Sequence, residues 1–335
     1  MTGVQTCLFR SIGLALLSAR FGFSAAFRNA GNGDYSGFGA QFLALALASA
    51  LMLPLIGAGH GSGISTGIGI AFLTGAFLFG IGMQLAGGCA SGTLYLLGGG
   101  DLRFAFALAA FVIGSAAGAA HMGFWWSLPA FSPLGVFSSS VWPVLALLQV
   151  AILLAIAVVL IRCNPPARSL IYGGIALALL NTATLLVAGR AWTETFGFAL
   201  WGSKLASLIG FQPRTWTFWQ AYGVEALERS IFVETTSLMD MSIIAGAMLA
   251  AFGRREFILK MPTVAGAGVA TLGGLLMGYG ARLSDGCNIG AYFSAVATGS
   301  LSGFVWIVPA LAGSMLGVRV RQNYESRAAT VIRQA

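Results

Sequence analysis

The chain has 335 residues, 57% of them hydrophobic and only 8% charged, with a mean hydropathy of +0.85. Soluble domains carry about 25% charged residues, so a water-soluble globular fold is excluded. Lys and Arg outnumber Asp and Glu by 18 to 10, but they gather between apolar runs, the pattern of the positive-inside rule rather than of nucleic-acid binding.

Apolar runs long enough to cross a bilayer as helix, about 20 residues each, recur along the chain. The short alternating segments of a β-barrel do not occur. The first run, "CLFRSIGLALLSARFGF", has a short apolar core interrupted by Arg20 and no small-x-small site, so it reads as a first helix kept in the mature chain. Nine spans are predicted, at 11–27, 38–57, 64–83, 103–122, 141–161, 169–188, 236–252, 262–281 and 301–318. Arg20 reads as an interfacial anchor, with an intramembrane role as the alternative. His60 and His121 lie near span ends without a partner at ligand spacing, and no metal site is expected. No cofactor is expected either.

Between 189 and 235 the chain is more polar. Trp192, Trp201, Trp216 and Trp219 suit a membrane–water interface, so one or two interfacial helices are expected there. Glu225, Glu228, Arg229 and Glu234 read as a solvated charge run. Arg162 with Arg168, then Arg254, Arg255 and Lys260, then Arg319, Arg321, Arg327 and Arg333 form three basic regions that should be cytoplasmic. Nine spans then place the N-terminus outside and the C-terminus inside.

The chain repeats itself. "GIGMQLAGGCASG" at 80–92 aligns without gaps on "GYGARLSDGCNIG" at 278–290, and Gly80, Gly82, Leu85, Gly88, Cys89 and Gly92 recur as Gly278, Gly280, Leu283, Gly286, Cys287 and Gly290. Past one extra residue, Leu102 meets Leu301 and "GS" at 114–115 meets "GS" at 313–314. The following spans run in opposite directions on the charge-derived topology. One membrane domain, 1–335, is therefore expected, with inverted repeats at about 11–122 and 228–318 joined by a connecting segment at 123–227. The fold class is all-α and polytopic, an architecture of transporters whose path lies at the repeat interface.

After each glycine break comes an apolar run too short to span, "ASGTLYLL" at 90–97 and "NIGAYFSAVA" at 288–297. Each reads as a re-entrant half-helix with a cysteine at its start. Helix N-termini favour anions and activate thiols, so two inverted half-helices predict an anion path with a thiol on each side. A single buried cysteine is ordinarily a small hydrophobe. Two at equivalent repeat positions beside Gly88 and Gly286 favour function instead. Cys7 and Cys163 lack such framing. A Cys89–Cys287 disulfide is left open.

Around the cysteines Gln84 matches Arg282, Gly87 matches Asp285, and Ala90 matches Asn288. Ionisable groups near membrane depth are functional candidates by default. Arg282 either lines the path, pairs with Asp285 on its own helix, or reaches the interface. Gln84 and Asn288 either donate hydrogen bonds to an anion or tie helices together.

The two cysteine motifs resemble those of the YeeE/YedE family of bacterial sulfur-transport membrane proteins, most strongly at 80–93 and 278–291 and more loosely at 19–29. The resemblance implies an inner-membrane protein that takes up thiosulfate, with Cys89 and Cys287 as path cysteines. It also implies a cytoplasmic TusA/SirA-like sulfur carrier as partner, beside the membrane lipids. Members often carry a further cysteine in a segment like "RxCFxxAFRD"; here "RFGFSAAFRN" has Gly22 and Asn29 at the cysteine and aspartate positions, and "SIFVETTSLMD", read as its repeat counterpart, has none. The expected function is uptake of thiosulfate or a related small sulfur anion, without an ATPase motif in the chain. The rivals are a membrane thiol, persulfide or selenium-handling protein that binds sulfur covalently, and a channel whose glycines only pack helices.

Overall fold

The computed structural model describes residues 3–19 and 21–334, and Arg20 lies outside the described residues. Its helices, in chain order, are α1 (Gly3–Ala19), α2 (Phe23–Ala30), α3 (Ser36–Gly57), α4 (Ile70–Ala86), α5 (Ala90–Gly98), α6 (Arg103–Ala120), α7 (Met122–Trp126), α8 (Trp142–Cys163), α9 (Arg168–Ala188), α10 (Thr195–Leu208), α11 (Thr217–Tyr222), α12 (Thr235–Gly253), α13 (Val264–Leu283), α14 (Ala295–Ala297) and α15 (Leu301–Gln334). A π-helical turn, Asn288–Ser294, leads into α14. Among the described residues nine helical stretches are long and apolar enough to cross a bilayer, two of them broken: Cys7–Ala30 takes in most of α1 and all of α2, and Ile70–Gly98 contains α4 and α5. The protein is an all-α polytopic membrane protein.

Two expectations are corrected. The third span begins at Ile70, not 64, because Ile68–Gly69 pairs antiparallel with Ala130–Phe131 as a short ribbon. The segment 189–235 is only partly interfacial. Its α10 packs against α6 and α12, and Trp192 and Trp219 are fully buried. Trp219 Nε1 donates to Ser203 Oγ at 2.9 Å, which lets that ring sit inward, and the part-buried Trp201 donates from Nε1 to Ser237 Oγ at 2.9 Å; Trp192 Nε1 is buried without a partner.

Helices gain nothing from lipid by burying leucines, so close backbone packing holds such a bundle together. The centre of this one is the α4–α13 crossing. A Cβ on Gly75 would lie 2.6 Å from Gly280 O, and one on Gly82 2.6 Å from Gly273 O. As one number rises the other falls, so the helices run antiparallel. Gly75 and Gly273 are equivalent in the repeat register, as are Gly82 and Gly280, so the two contacts are twofold copies of one another. The copying extends outward: Gly80 packs on the Ala310 carbonyl of α15 and Gly278 on the Phe111 carbonyl of α6. Likewise α1 packs on α12 while α9 packs on α3, and α2 touches α3, α4 and α15 while α10 touches α12, α13 and α6.

Helix α8 stands apart. It is the most apolar span, mean hydropathy 3.2, and only 17% of it is buried in the protein. It rests on α3. Its one polar tether inward is Gln149, whose Nε2 donates to Val296 O at 2.7 Å and Ser49 Oγ at 3.1 Å.

Candidate functional site

Helix α4 ends at Gly87, whose φ of 83° lets its N–H turn back to Met83 O at 3.1 Å. A side chain there would also meet Arg321 Nη1, 2.9 Å from an ideal Cβ. Gly88 then passes against Phe104, and Cys89, in extended backbone, begins α5 as its N-cap residue. The carbonyl of Cys89 accepts from Thr93 N and Thr93 Oγ1, both at 2.8 Å. Its thiol shares a hydrogen bond with Ser91 Oγ at 3.4 Å.

The second break is built differently. Asp285 follows α13 with φ 55°, a left-handed conformation that Asp tolerates better than most residues. Gly286 N reaches back to Ala281 O at 2.8 Å, and a Cβ on Gly286 would lie 2.6 Å from Ala291 N. Cys287, again extended, begins the π-helical turn. Its Sγ donates to Glu194 Oε2 at 3.7 Å.

Both thiols are 1% exposed and free, within one continuous buried core. Aromatic rings pack together beside the second break. Phe23 at the start of α2 meets Tyr292 and Phe293 of the π-helical turn at 6.2 and 5.9 Å, and Tyr292 stacks on Trp306 at 6.3 Å. Trp306 Nε1 donates to Ser284 Oγ at 3.2 Å, which fixes the ring beside the second break.

The other candidate residues divide. Arg282 is 5% exposed; its Nη2 donates to Thr195 Oγ1 at 3.1 Å and its Cζ lies 4.8 Å from the Phe218 ring centroid. Asp285 accepts instead from Thr66 Oγ1 at 2.8 Å and Tyr222 OH at 3.1 Å, so Arg282 and Asp285 form no ion pair. Both line a cavity of about 230 Å³ with Ser65, Trp126 and Tyr222. Asn288 is fully buried, and neither its amide nitrogen nor its oxygen has a hydrogen-bond partner. Gln84 spends both amide hydrogens on protein, donating to Ser24 O at 2.9 Å and Ser314 Oγ at 2.7 Å. It ties α4 to α2 and α15.

The Cys89 end is cationic. Arg321 Nη1 donates to Gln84 O at 3.2 Å, Arg103 pairs with Asp101 at 3.4 Å, and Arg28 feels the charge of Arg321. At the Cys287 end the charge run is partly structural. Glu228 pairs with Arg214 at 2.6 Å, whereas Glu234 caps α12 and meets Arg190 at 3.7 Å.

Two buried acids, Glu194 against Cys287 and Asp240 against α10, lie outside the sequence expectations. Glu194 and Asp240 are both 0% exposed. An acidic residue inside an apolar span costs about 2.5–3.5 kcal/mol on insertion scales, and Asp240 within "TTSLMDMSIIAG" carries that signal. Glu194 carries none, since its surroundings read as interfacial.

Known proteins give four points of comparison. A family described as sulphur transport matches residues 18–316. The chain is 30% identical over 146 residues to the probable transporter YedE of Escherichia coli, covering 43% of this chain and 36% of that one, so it spans little more than a third of that relative. It is 29% identical over 287 residues to the thiosulfate transporter TsuA of E. coli, covering 76% of each. To the TsuA of Spirochaeta thermophila it is 29% identical over 263 residues, 70% of this chain and 72% of the relative.

Proposed function

Because this chain belongs to the sulphur transport family, we propose that it carries thiosulfate inward across a bacterial inner membrane. The observation that carries this reading is the pair of buried thiols, Cys89 and Cys287, each beginning a short helix after a glycine break at twofold-equivalent positions. The relatives named as thiosulfate transporters supply the substrate. With Arg162, Arg168, Arg254, Arg255 and Lys260 on the cytoplasmic side, Cys287 faces outward and Cys89 inward. The second repeat then begins at α9, earlier than 228, because α9, α10, α12, α13 and α15 stand in the places of α1, α2, α3, α4 and α6. Counterpart to the "FGF" of 21–23 is the "FGF" of 196–198, not the segment 230–240.

The anion enters the cavity beside Arg282, where the guanidinium offsets part of its charge. It sheds water against Cys287 and the amide of Asn288, crosses to Cys89, and leaves past Arg103 and Arg321. Thiols are weak S–H donors, so they replace hydration without holding the ion. A TusA/SirA-like carrier would take the sulfur at the cationic Cys89 end. The test is thiosulfate-dependent growth and radiolabelled thiosulfate uptake of Cys89→Ala and Cys287→Ala variants. Each should lose most uptake while reaching the membrane at parental levels; uptake equal to the parent's in both would refute the thiol path.

The Cys287–Glu194 contact also favours a covalent variant of this path. Glu194 would take the thiol proton, the thiolate would attack the outer sulfur of thiosulfate, and sulfite would leave, giving a persulfide on Cys287. Intact-protein mass spectrometry after thiosulfate exposure separates the two, since only the covalent route adds one sulfur atom.

A further inference from the structure

We propose that Glu194 and Asp240 form a proton-binding pair that couples thiosulfate entry to inward proton movement. This rests on the thiosulfate reading and deepens it, since it names the co-transported ion.

Three of the four carboxylate oxygens, Glu194 Oε1 and both of Asp240, are fully buried without a hydrogen-bond partner. The fourth, Glu194 Oε2, faces the Cys287 thiol. Glu194 begins α10 but does not cap it, whereas Glu234, in the same place on α12, accepts from Thr236 N at 3.0 Å and Ser237 N at 2.7 Å. The side chain of Glu194 is turned away from its own helix toward the path. Asp240 Oδ2 points at α10, where a Cβ on Gly197 would lie 2.6 Å from it. Only glycine leaves room there for the carboxyl.

The charged neighbours of Asp240 are Glu194 and Glu234, both acidic. The cations on the surrounding elements are engaged elsewhere: Arg282 on Thr195, Lys204 Nζ on Leu227 O at 2.6 Å, and Arg190 on Glu234. Helix α1 presents Arg10, which is exposed, and α5 presents Cys89 and Tyr95. Two buried carboxylates side by side without a cation do not both stay ionised. A proton is the counterion that needs no coordination shell, and among the described residues no three His, Cys, Asp or Glu side chains converge to hold a metal.

An anion at Cys287 would be repelled by an ionised Glu194 and would accept a hydrogen bond from a protonated one. Anion and proton therefore raise each other's affinity. Glu234 borders a cavity of about 340 Å³ with Arg190 and Glu225, which gives protons an entrance beside the pair. Among the described residues the Cys89 half buries no such acid: Gln41, sixth residue of α3, stands where Asp240 is sixth in α12. An anion at Cys287 thus draws a second proton onto the pair beyond the one it holds at rest, and when the anion crosses to Cys89 that added proton is released and follows it inward.

The experiment uses the purified full chain in liposomes with a trapped pH dye, the membrane potential clamped by potassium and valinomycin, and external thiosulfate. Thiosulfate influx should acidify the lumen and slow as external pH rises, and Asp240→Asn should lose the protons carried per thiosulfate. Infrared spectra without substrate should show a buried protonated-carboxyl band at neutral pH that is lost in Asp240→Asn or Glu194→Gln. Thiosulfate influx without acidification, or influx that needs sodium and leaves luminal pH unchanged, overturns the coupling while leaving the transport reading intact. No thiosulfate influx at all overturns both, and absence of the infrared band at neutral pH overturns the protonated pair by itself.

Discussion

Asn288 separates a functional residue from a structural one more cleanly than either cysteine. Its amide is buried with no partner, an arrangement that costs about 1–3 kcal/mol of stability. Asn288→Leu should therefore leave thermal unfolding in detergent unchanged or raise its midpoint, while thiosulfate uptake falls. A lower midpoint with uptake intact would make Asn288 a packing residue. The cysteines were legible because glycine, cysteine and half-helix lie within a dozen residues of sequence in each copy. Asp240 was legible as an acid inside an apolar span, but Glu194 was not, because its contact with Cys287 joins residues 93 positions apart and its surroundings read as interfacial. Gln84 shows the opposite case. Its position in the motif suggests an anion donor, but its amide hydrogens are held by Ser24 and Ser314.

Among elements, the α4–α13 crossing fixes the distance between the two breaks. Gly82 and Gly280 occupy one position twice, each with a backbone atom of the other helix inside van der Waals distance of a would-be Cβ. Overpacking of this kind costs about 1–3 kcal/mol. Gly82→Val and Gly280→Val should thus destabilise by similar amounts in thermal unfolding, and unequal losses would argue that the twofold does not reach the energetics. The nine spans were legible from hydropathy because each is a long apolar window. Helix α10 was hidden because it is only 14 residues long and carries Trp201, Ser203 and Lys204. Those polar atoms find partners inside the protein, which composition does not reveal.

At the scale of the whole molecule, the two thiols proposed to line the path are both buried, each 1% exposed. On the proposed reading an anion reaches them only when the protein opens, and reagent access reports that opening. A membrane-permeant maleimide should label Cys163, which is exposed, roughly ten- to a thousand-fold faster than Cys89 or Cys287, the range expected when an open state is populated at about 10 to 0.1%. Equal labelling rates would mean a standing pore. Inward movement of a dianion against an inside-negative potential costs roughly 4.6 kcal/mol per 100 mV, twice the value for one charge, which is the load that accompanying protons would relieve. The peripheral helix α8 has a different role in this molecule. Four crossings return a chain to the side where it started, so two four-span halves fused end to end would sit the same way up. The antiparallel α4 and α13 require one more crossing between them, and α8 is that crossing. Apart from Gln149, its residues answer to counting rather than to chemistry: what α8 contributes is parity, and with it the antiparallel setting of α4 against α13 and of the two glycine breaks that follow them.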